Sequence, residues 1–475
     1  LSMSVAPNGT IWVTVQSSGF LDIPGFSRIN SYNQFHVLSW DSSASSWSSV
    51  DEISGWYKGN LVYFESAIDG NGDLWVSGSC RYSVTIVGTT YNFGSDYRIC
   101  FAQRNTTNGW NNVFRTDGSY NTPSLDAMAG HPDGGVVFWA RGDSYTTPGG
   151  TSYSIQYTSA GALVRLYQNG TIHLWDKPDC TSGNNCNFVQ SMDVRSNGDI
   201  VIGGYFDNSV SFSGCCSVNS GGGDDGYLAM WNHTNVGWDW SIALGGTSDD
   251  YLYDVRFIGN GSIVGVGQKS GVISVGLTTL STAGTGFVAM ASDQGTWSWA
   301  QQPTGPVNVR AVVPASNGSI EVAGEILYDN GGPRQFGLDT LTTADGSDLF
   351  ISRMSADQDA DVVTDANAEN AAVSSKIVET QPEAETGQET EEQSYGGMDG
   401  DVDIDVDVDV VDVDCDDEDC SVAPNPPKIT LKNDLFIPLH IIYESIAPDD
   451  PTNAPVIIKA VFSKVNPIPA AAQPE

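Results

Sequence analysis

The chain has 475 residues, 40% of them hydrophobic, and carries 20 Lys and Arg against 58 Asp and Glu, a formal charge of −38. That length excludes a single small domain. The charge excludes nucleic acid and anionic membrane surfaces as partners, because both are bound by clustered Lys and Arg. With 52 Gly, 13 Trp and 18 Tyr and no sustained 3.6-residue apolar period, the composition excludes a helical bundle and favours many short strands joined by tight turns. No apolar run approaches the ~18 residues that span a bilayer, and LSMSVAPNGT lacks the charged and apolar regions of a signal peptide. The chain therefore reads as already processed.

From the first residues onward, a turn followed by alternating apolar residues recurs. It appears as NGTIWV at Asn8, NGDLWVSG at Asn71, DGGVVFWA at Asp133, NGDIVIGG at Asn197, NGSIVGVG at Asn260 and NGSIEVAG at Asn317, in steps of 63, 62, 64, 63 and 57 residues. A Trp opening a second strand recurs at Trp47, Trp110, Trp175, Trp238 and Trp297, in steps of 63, 65, 63 and 59. Between the two markers lie strand-like runs: QFHVLSW, YRICFAQR, SYSIQYT, GYLAMW, GFVAM and LFISRM. Each unit is thus about four strands, with Asn-Gly or Asp-Gly expected to form type I′ turns. One four-stranded unit cannot bury both faces alone, whereas six arranged radially can. The fold class expected is all-β, a β-propeller of about six four-stranded repeats with a period near 63 residues, spanning residues 1–356. The Trp series is expected to pack between repeats, because it recurs at equivalent positions.

The run WSIALGGTSDDYLYDVRFIGNGSIVGVG, from Trp240 to Gly267, and the segment GGGDDGYLAMWNHTNVGWDW, from Gly221 to Trp240, resemble the repeats of bacterial and archaeal surface propellers called seven-bladed β-propeller, or SBBP-like, repeats. The shared features are a Gly-Gly turn, paired Asp, an aromatic residue, and an Asn-Gly turn leading into a strand. This sequence has six visible units where the family name implies seven. The resemblance implies an extracellular binding or scaffolding role and brings no catalytic residues.

The sixth unit should have its Trp strand near residue 357, but SADQDADVVTDANAEN stands there. Six first strands therefore have five closing strands. Residues 357–420 hold 23 Asp or Glu and one Lys, which marks 357–424 as an acidic linker. Within it, DVDIDVDVDVVDVDCDDEDC puts Asp401, Asp403, Asp405, Asp407 and Asp409 on one face of any strand it forms. Such a row repels itself unless it is solvated or neutralised by a cation; Ca²⁺ is the candidate ion, and no other cofactor is called for. Residues 425–475 return to two apolar, strand-like runs, KITLKNDLFIPLHIIYESI and APVIIKAVFSKV. Either they supply the missing strand, in the same chain or in a neighbouring copy, or they dock as a small β segment.

Eight Cys fall in close couples, Cys80 with Cys100, Cys180 with Cys186, Cys215 with Cys216 and Cys415 with Cys420, as local disulfides would. Six glycosylation sequons stand at Asn8, Asn105, Asn169, Asn232, Asn260 and Asn317. Both features point to a secreted or cell-surface protein. Catalytic fingerprints are missing, and His36, His131, His173, His233 and His440 lie far apart in sequence. The pairs Asp224–Asp225 and Asp249–Asp250 either cap turns or hold a cation or sugar. DGNGD, from Asp69 to Asp73, has the opening spacing of a Ca²⁺ loop or is a turn, and Arg141-Gly142-Asp143 is an integrin-type tripeptide or simply a loop. The expected function is non-catalytic binding, adhesion or structure, with surface glycans, proteins or copies of itself as partners. The alternatives are a subunit of an extracellular filament or lattice, and a polysaccharide-active enzyme.

Overall fold

A computed structural model describes residues 2–355 apart from 18–19, 22, 27–28, 31–33, 58–64, 106–108, 117–123, 143, 147–151, 155–160, 181–186, 260, 316–317, 328–333, 337–338 and 342–347. After Ser355 it describes Ile437–Pro438 and Phe462–Ser463, which pair with each other. The acidic stretch, with Asp401 to Asp409, Cys415 and Cys420, lies outside the described residues, as do Cys186, Asn260 and Asn317.

The fold is all-β, and the sequence period maps onto successive antiparallel sheets. The first is Ser2–Val5, Ile11–Ser17, Gln34–Asp41 and Ser46–Tyr57. The second is Ser66–Ile68, Leu74–Ile86, Thr89–Asn105 and Gly109–Arg115; it is continuous with the first, because the last strand of one pairs with the second strand of the other. The third is Ser124–Gly130, Val136–Arg141, Ala162–Leu166 and Ile172–Asp176. Here SYSIQYT is not the third strand, since Ser152–Ser154 belongs to a side hairpin with Ser144–Thr146. The fourth is Asn187–Val194, Ile200–Phe206, Asp225–Asn232 and Gly237–Leu244, and the fifth is Asp250–Phe257, Ile263–Lys269, Gly286–Ala291 and Trp297–Gln301. The sixth has three strands among the described residues, Val307–Pro314, Ser319–Ile326 and Asp348–Ser355.

The repeated turn differs from the expected type I′. In the first sheet the Ala6 amide donates to Thr10 O at 2.8 Å and the Gly9 amide to Ala6 O at 2.9 Å, closing a three-residue loop. Only the glycine takes positive φ, +82° at Gly9 and +89° at Gly198, while Asn8 and Asn197 do not. A type I turn followed by a left-handed glycine satisfies the strand twist with one special residue, whereas type I′ needs two. The Asn or Asp before the glycine serves the loop: Asn8 Oδ1 accepts from the Thr10 amide at 3.0 Å.

Each junction between consecutive sheets has its own core. Val76 and Trp56 lie between the first and second sheets, Phe101 and Phe138 between the second and third, and Phe206 and Trp139 between the third and fourth. Leu252 and Val201 fill the fourth junction, and Val266 and Val322 the fifth. Three of the five Trp clasp the preceding sheet, while Trp47 packs edge-on against Trp40 of its own sheet. Trp110 Nε1 donates to Asp51 Oδ2 at 2.9 Å, Trp238 Nε1 to Asp176 Oδ2 at 2.5 Å, and Trp297 Nε1 to Ala243 O at 2.9 Å. In each case the fourth strand of one sheet is tied to the fourth strand of the sheet before it.

Candidate functional site

The first strands carry the polar chemistry. In the third to sixth sheets each first strand has a bulge at the same place, skipping Asp126, Gln190, Tyr253 and Arg310. A bulge re-aims the side chains that follow it. Counting back from the turn, the fourth pairing position holds Ser2, Ala127, Ser191, Asp254 and Ala311 in the first, third, fourth, fifth and sixth sheets. Glu65 takes that position in the second, its carbonyl accepting from the Ser77 amide. Two residues on, in the same face, stand Ser4, Ala67, Ala129, Asp193, Arg256 and Val313. Small residues alternate with charges, which leaves room around the charged groups.

Within this set the fourth and fifth sheets interlock. Ser191 Oγ donates to Asp254 Oδ1 at 2.7 Å and accepts from Arg256 Nη1 at 2.9 Å, while Arg256 Nη1 stands 2.8 Å from Asp254 Oδ1. The Phe257 amide donates to Asp193 Oδ2 at 2.8 Å. The sixth sheet joins through the Val312 amide, 2.9 Å from Asp254 Oδ2. At the other end of the chain, Ser2 Oγ donates to Glu65 Oε2 at 3.4 Å, and Ser4 Oγ and Ser66 Oγ share a bond of 2.9 Å. Glu65 and Arg256, on the second and fifth sheets, attract each other electrostatically.

Burial pushes the Glu65 carboxyl up to about 7, against the pull of Ser2 and Arg256. Burial likewise raises Asp193. For Arg256, burial works against the charge but Asp254, Asp193 and Glu65 outweigh it, so the guanidinium is held above its ordinary value. Glu65, Asp193 and Arg256 nonetheless keep part of their surface exposed. Three carboxylates and one guanidinium so placed can bind a polyhydroxy or cationic ligand, and Glu65 can exchange a proton near neutral pH.

The residues singled out by sequence fall elsewhere. Asp69 is committed to its turn: Oδ1 accepts from the Asn71 and Asp73 amides, and Oδ2 from Trp75 Nε1 at 2.9 Å and the Gly135 amide at 2.6 Å. That exhausts the acceptors a Ca²⁺ loop would need. Arg141 is buried, 2.9 Å from Asp126 through Nε, which keeps its guanidinium from display, and Asp143 lies outside the described residues. The two Asp pairs do meet between the fourth and fifth sheets, where the Asp250 amide donates to Asp224 O at 2.5 Å and the Asp224 amide to Asp249 Oδ1 at 3.1 Å. Burial raises Asp250 to about 6. Cys80 is bonded to Cys100 and Cys215 to Cys216, and Cys180 is also disulfide-bonded. Asn8 and Asn169 are exposed at turn tips, while Asn105 and Asn232 donate to Asp73 at 3.3 Å and Asp239 at 2.8 Å. Sequence reasoning missed Glu65, Asp193, Asp254 and Arg256. The available signal was their spacing from the repeated turn, Glu65 and Asp254 at the fourth pairing position before it and Asp193 and Arg256 at the second.

No helix among the described residues is long and apolar enough to cross a membrane. No protein-family model matches the chain, and no curated protein matches it. Among solved structures, a protein of unknown function from Dyadobacter fermentans aligns at 9% identity over 63% of this chain and 93% of its own, with a TM-score of 0.34. An ulvan lyase of a new polysaccharide lyase family aligns at 9% identity over 74% of this chain and 78% of its own, with a TM-score of 0.39. A luciferin-regenerating enzyme aligns at 11% identity over 74% and 90%, with a TM-score of 0.33. Likenesses this loose assign no activity to the chain.

Proposed function

We propose that the six sheets close into a β-propeller and that the protein is a secreted or cell-surface module binding a neutral or amino-sugar glycan, or a basic surface protein, at its axis. The geometry of the first strands carries this reading: one matching position holds Ser2, Glu65, Ala127, Ser191, Asp254 and Ala311 in six successive sheets, and the fourth to sixth interlock there through Asp254. Closure would bring together two faces outside the five junction cores, Ile11, Val13 and Leu38 on the first sheet and Ala311 and Ala323 on the sixth, which form separate buried clusters. The disulfides fit an oxidising exterior.

Closure is tested by Ala323→Leu. Against a neighbouring sheet the larger side chain overpacks and lowers stability by about 1–3 kcal/mol; a neutral effect would mean that this face is open. Binding is tested by calorimetric titration with chito-oligosaccharides and neutral oligosaccharides, using wild type and Glu65→Gln. Binding that weakens at least tenfold in the variant supports the axial site, and binding indifferent to it removes that site.

A second reading, a polysaccharide-active enzyme, is favoured by Glu65 itself, a carboxyl that titrates near 7 in a cluster with Asp254 and can serve as general acid. Release of new chain ends from the same glycans, lost in Glu65→Gln, would select it. A third reading, a self-assembling subunit, rests on the three described strands of the sixth sheet. Light scattering of the full chain and of a chain stopped after Met354 tests it, since only the full chain should assemble.

A further inference from the structure

We propose that His131, Asp133 and His233 form a binding site for a divalent transition metal of the Zn²⁺ class at the rim between the third and fourth sheets. His131 and Asp133 stand in the turn joining Ser124–Gly130 to Val136–Arg141, and His233 follows Asp225–Asn232. Asp133 Oδ2 lies 3.8 Å from His131 Nδ1 and 3.8 Å from His233 Nε2, and the three donor atoms all fall within 4.8 Å of one another. A metal held at ~2.0–2.1 Å by each donor needs separations slightly shorter than these, which modest side-chain rotation supplies. Two imidazoles and one carboxylate suit Zn²⁺, Ni²⁺ or Cu²⁺ and not Ca²⁺, which prefers oxygen alone.

The surroundings hold the ligands in place. The His131 and His233 rings are 5.0 Å apart, and Trp175, stacked on Trp231 at 5.9 Å, closes one side at 6.0 and 5.8 Å from the two imidazoles. The His233 backbone is pinned by its amide bond to Asp199 Oδ1 at 2.8 Å. His131 is 1% exposed, so its ring is held in place by the packing around it. Asp133 and the His233 side chain, 75% and 34% exposed, leave the remaining coordination positions to water. Two features oppose the metal. The Asp133 amide bonds to His131 Nδ1 at 3.2 Å and must give way, and the Arg165 guanidinium repels positive charge at His131. The site is therefore of moderate affinity, a loadable clasp between two sheets.

The test is titration of the full-length, chelator-stripped protein with Zn²⁺ alone, followed by calorimetry and by the shift in Tm. Asp133→Asn and His233→Ala, both on the accessible side, should fold as wild type in chelator. Wild type is expected to take up one equivalent with micromolar affinity, in the presence of excess Ca²⁺, and to melt a few degrees higher. Each variant is expected to lose at least tenfold in affinity and the Tm shift. Absence of a saturable equivalent overturns the proposal. So does an equivalent that both variants retain, which would place the ion elsewhere, on the acidic segment for example.

Discussion

Glu65 makes the stability of this protein depend on pH in the direction opposite to that of a salt-bridged carboxylate. Its pKa rises from 4.5 to about 7 on folding. The folded chain therefore binds more protons than the unfolded chain between those values, and stability falls as pH rises through that window. A shift of this size corresponds to about 3 kcal/mol, fully developed above the folded pKa and absent below the unfolded one. Asp193 and Asp250 are raised too and add to the same slope, whereas burial of neutral His131 gives stability that is lost as pH falls. The clean quantity is thus the difference between wild type and Glu65→Gln, which keeps the shape and removes the titration. Arg256 still faces Asp254 and Asp193 in the variant, so no buried cation is stranded. Urea unfolding from pH 4.5 to 8 should show the two proteins diverging as pH rises, with the variant gaining about 3 kcal/mol above pH 7. Parallel curves would refute the burial of the Glu65 carboxyl.

Three further outcomes follow from the same geometry. Trp238→Phe keeps most of the ring packing and deletes the bond to Asp176, so it should cost about 1–3 kcal/mol by urea unfolding, because a carboxylate loses a short, partly buried donor; no change would mean that the clasp is ornamental. Replacing Cys80 and Cys100 together by Ala should lower stability by about 2–4 kcal/mol under non-reducing conditions, and reductant should bring wild type towards the variant. Expressed in a glycosylating host, the protein should carry glycans at the exposed turn tips Asn8 and Asn169 and less at Asn105 and Asn232, which are engaged by Asp73 and Asp239. Peptide mapping after enzymatic deglycosylation reads the occupancy, and the reverse order would contradict the burial pattern.

The repeats were legible because a turn needing one left-handed glycine and a strand needing one interlocking Trp leave marks at fixed spacing. Gly9, Gly72, Gly134, Gly198, Gly261 and Gly318 all take positive φ, each at the expected step. The turn type was misread because Asn-Gly fits two loops, and only the conformation of the Asn separates them. SYSIQYT is no sheet strand: aromatic alternation marks a side hairpin as readily as a sheet strand. The polar set of Glu65, Asp193, Asp254 and Arg256 was harder to find, because Glu65 and Arg256 are far apart in the chain and a bulge shifts the facing of the residues after it. His131 and His233 meet because one turn of the third sheet abuts one of the fourth, a relation set by sheet packing and not by spacing.

Ser191 mediates between Asp254 and Arg256, and the backbone amides of Val312 and Phe257 bind carboxylates of the preceding sheets, so one polar network ties the fourth, fifth and sixth sheets together. Three carboxylates against one guanidinium leave that network with excess negative charge once Glu65 ionises, which favours a cationic or hydroxyl-rich guest over a polyanion. A guest that supplies hydrogen bonds to Glu65 would lower its pKa and recover stability lost to desolvation. On the proposed reading, binding and folding are linked through Glu65, and affinity for a cationic guest should rise with pH across the same interval in which the empty protein weakens.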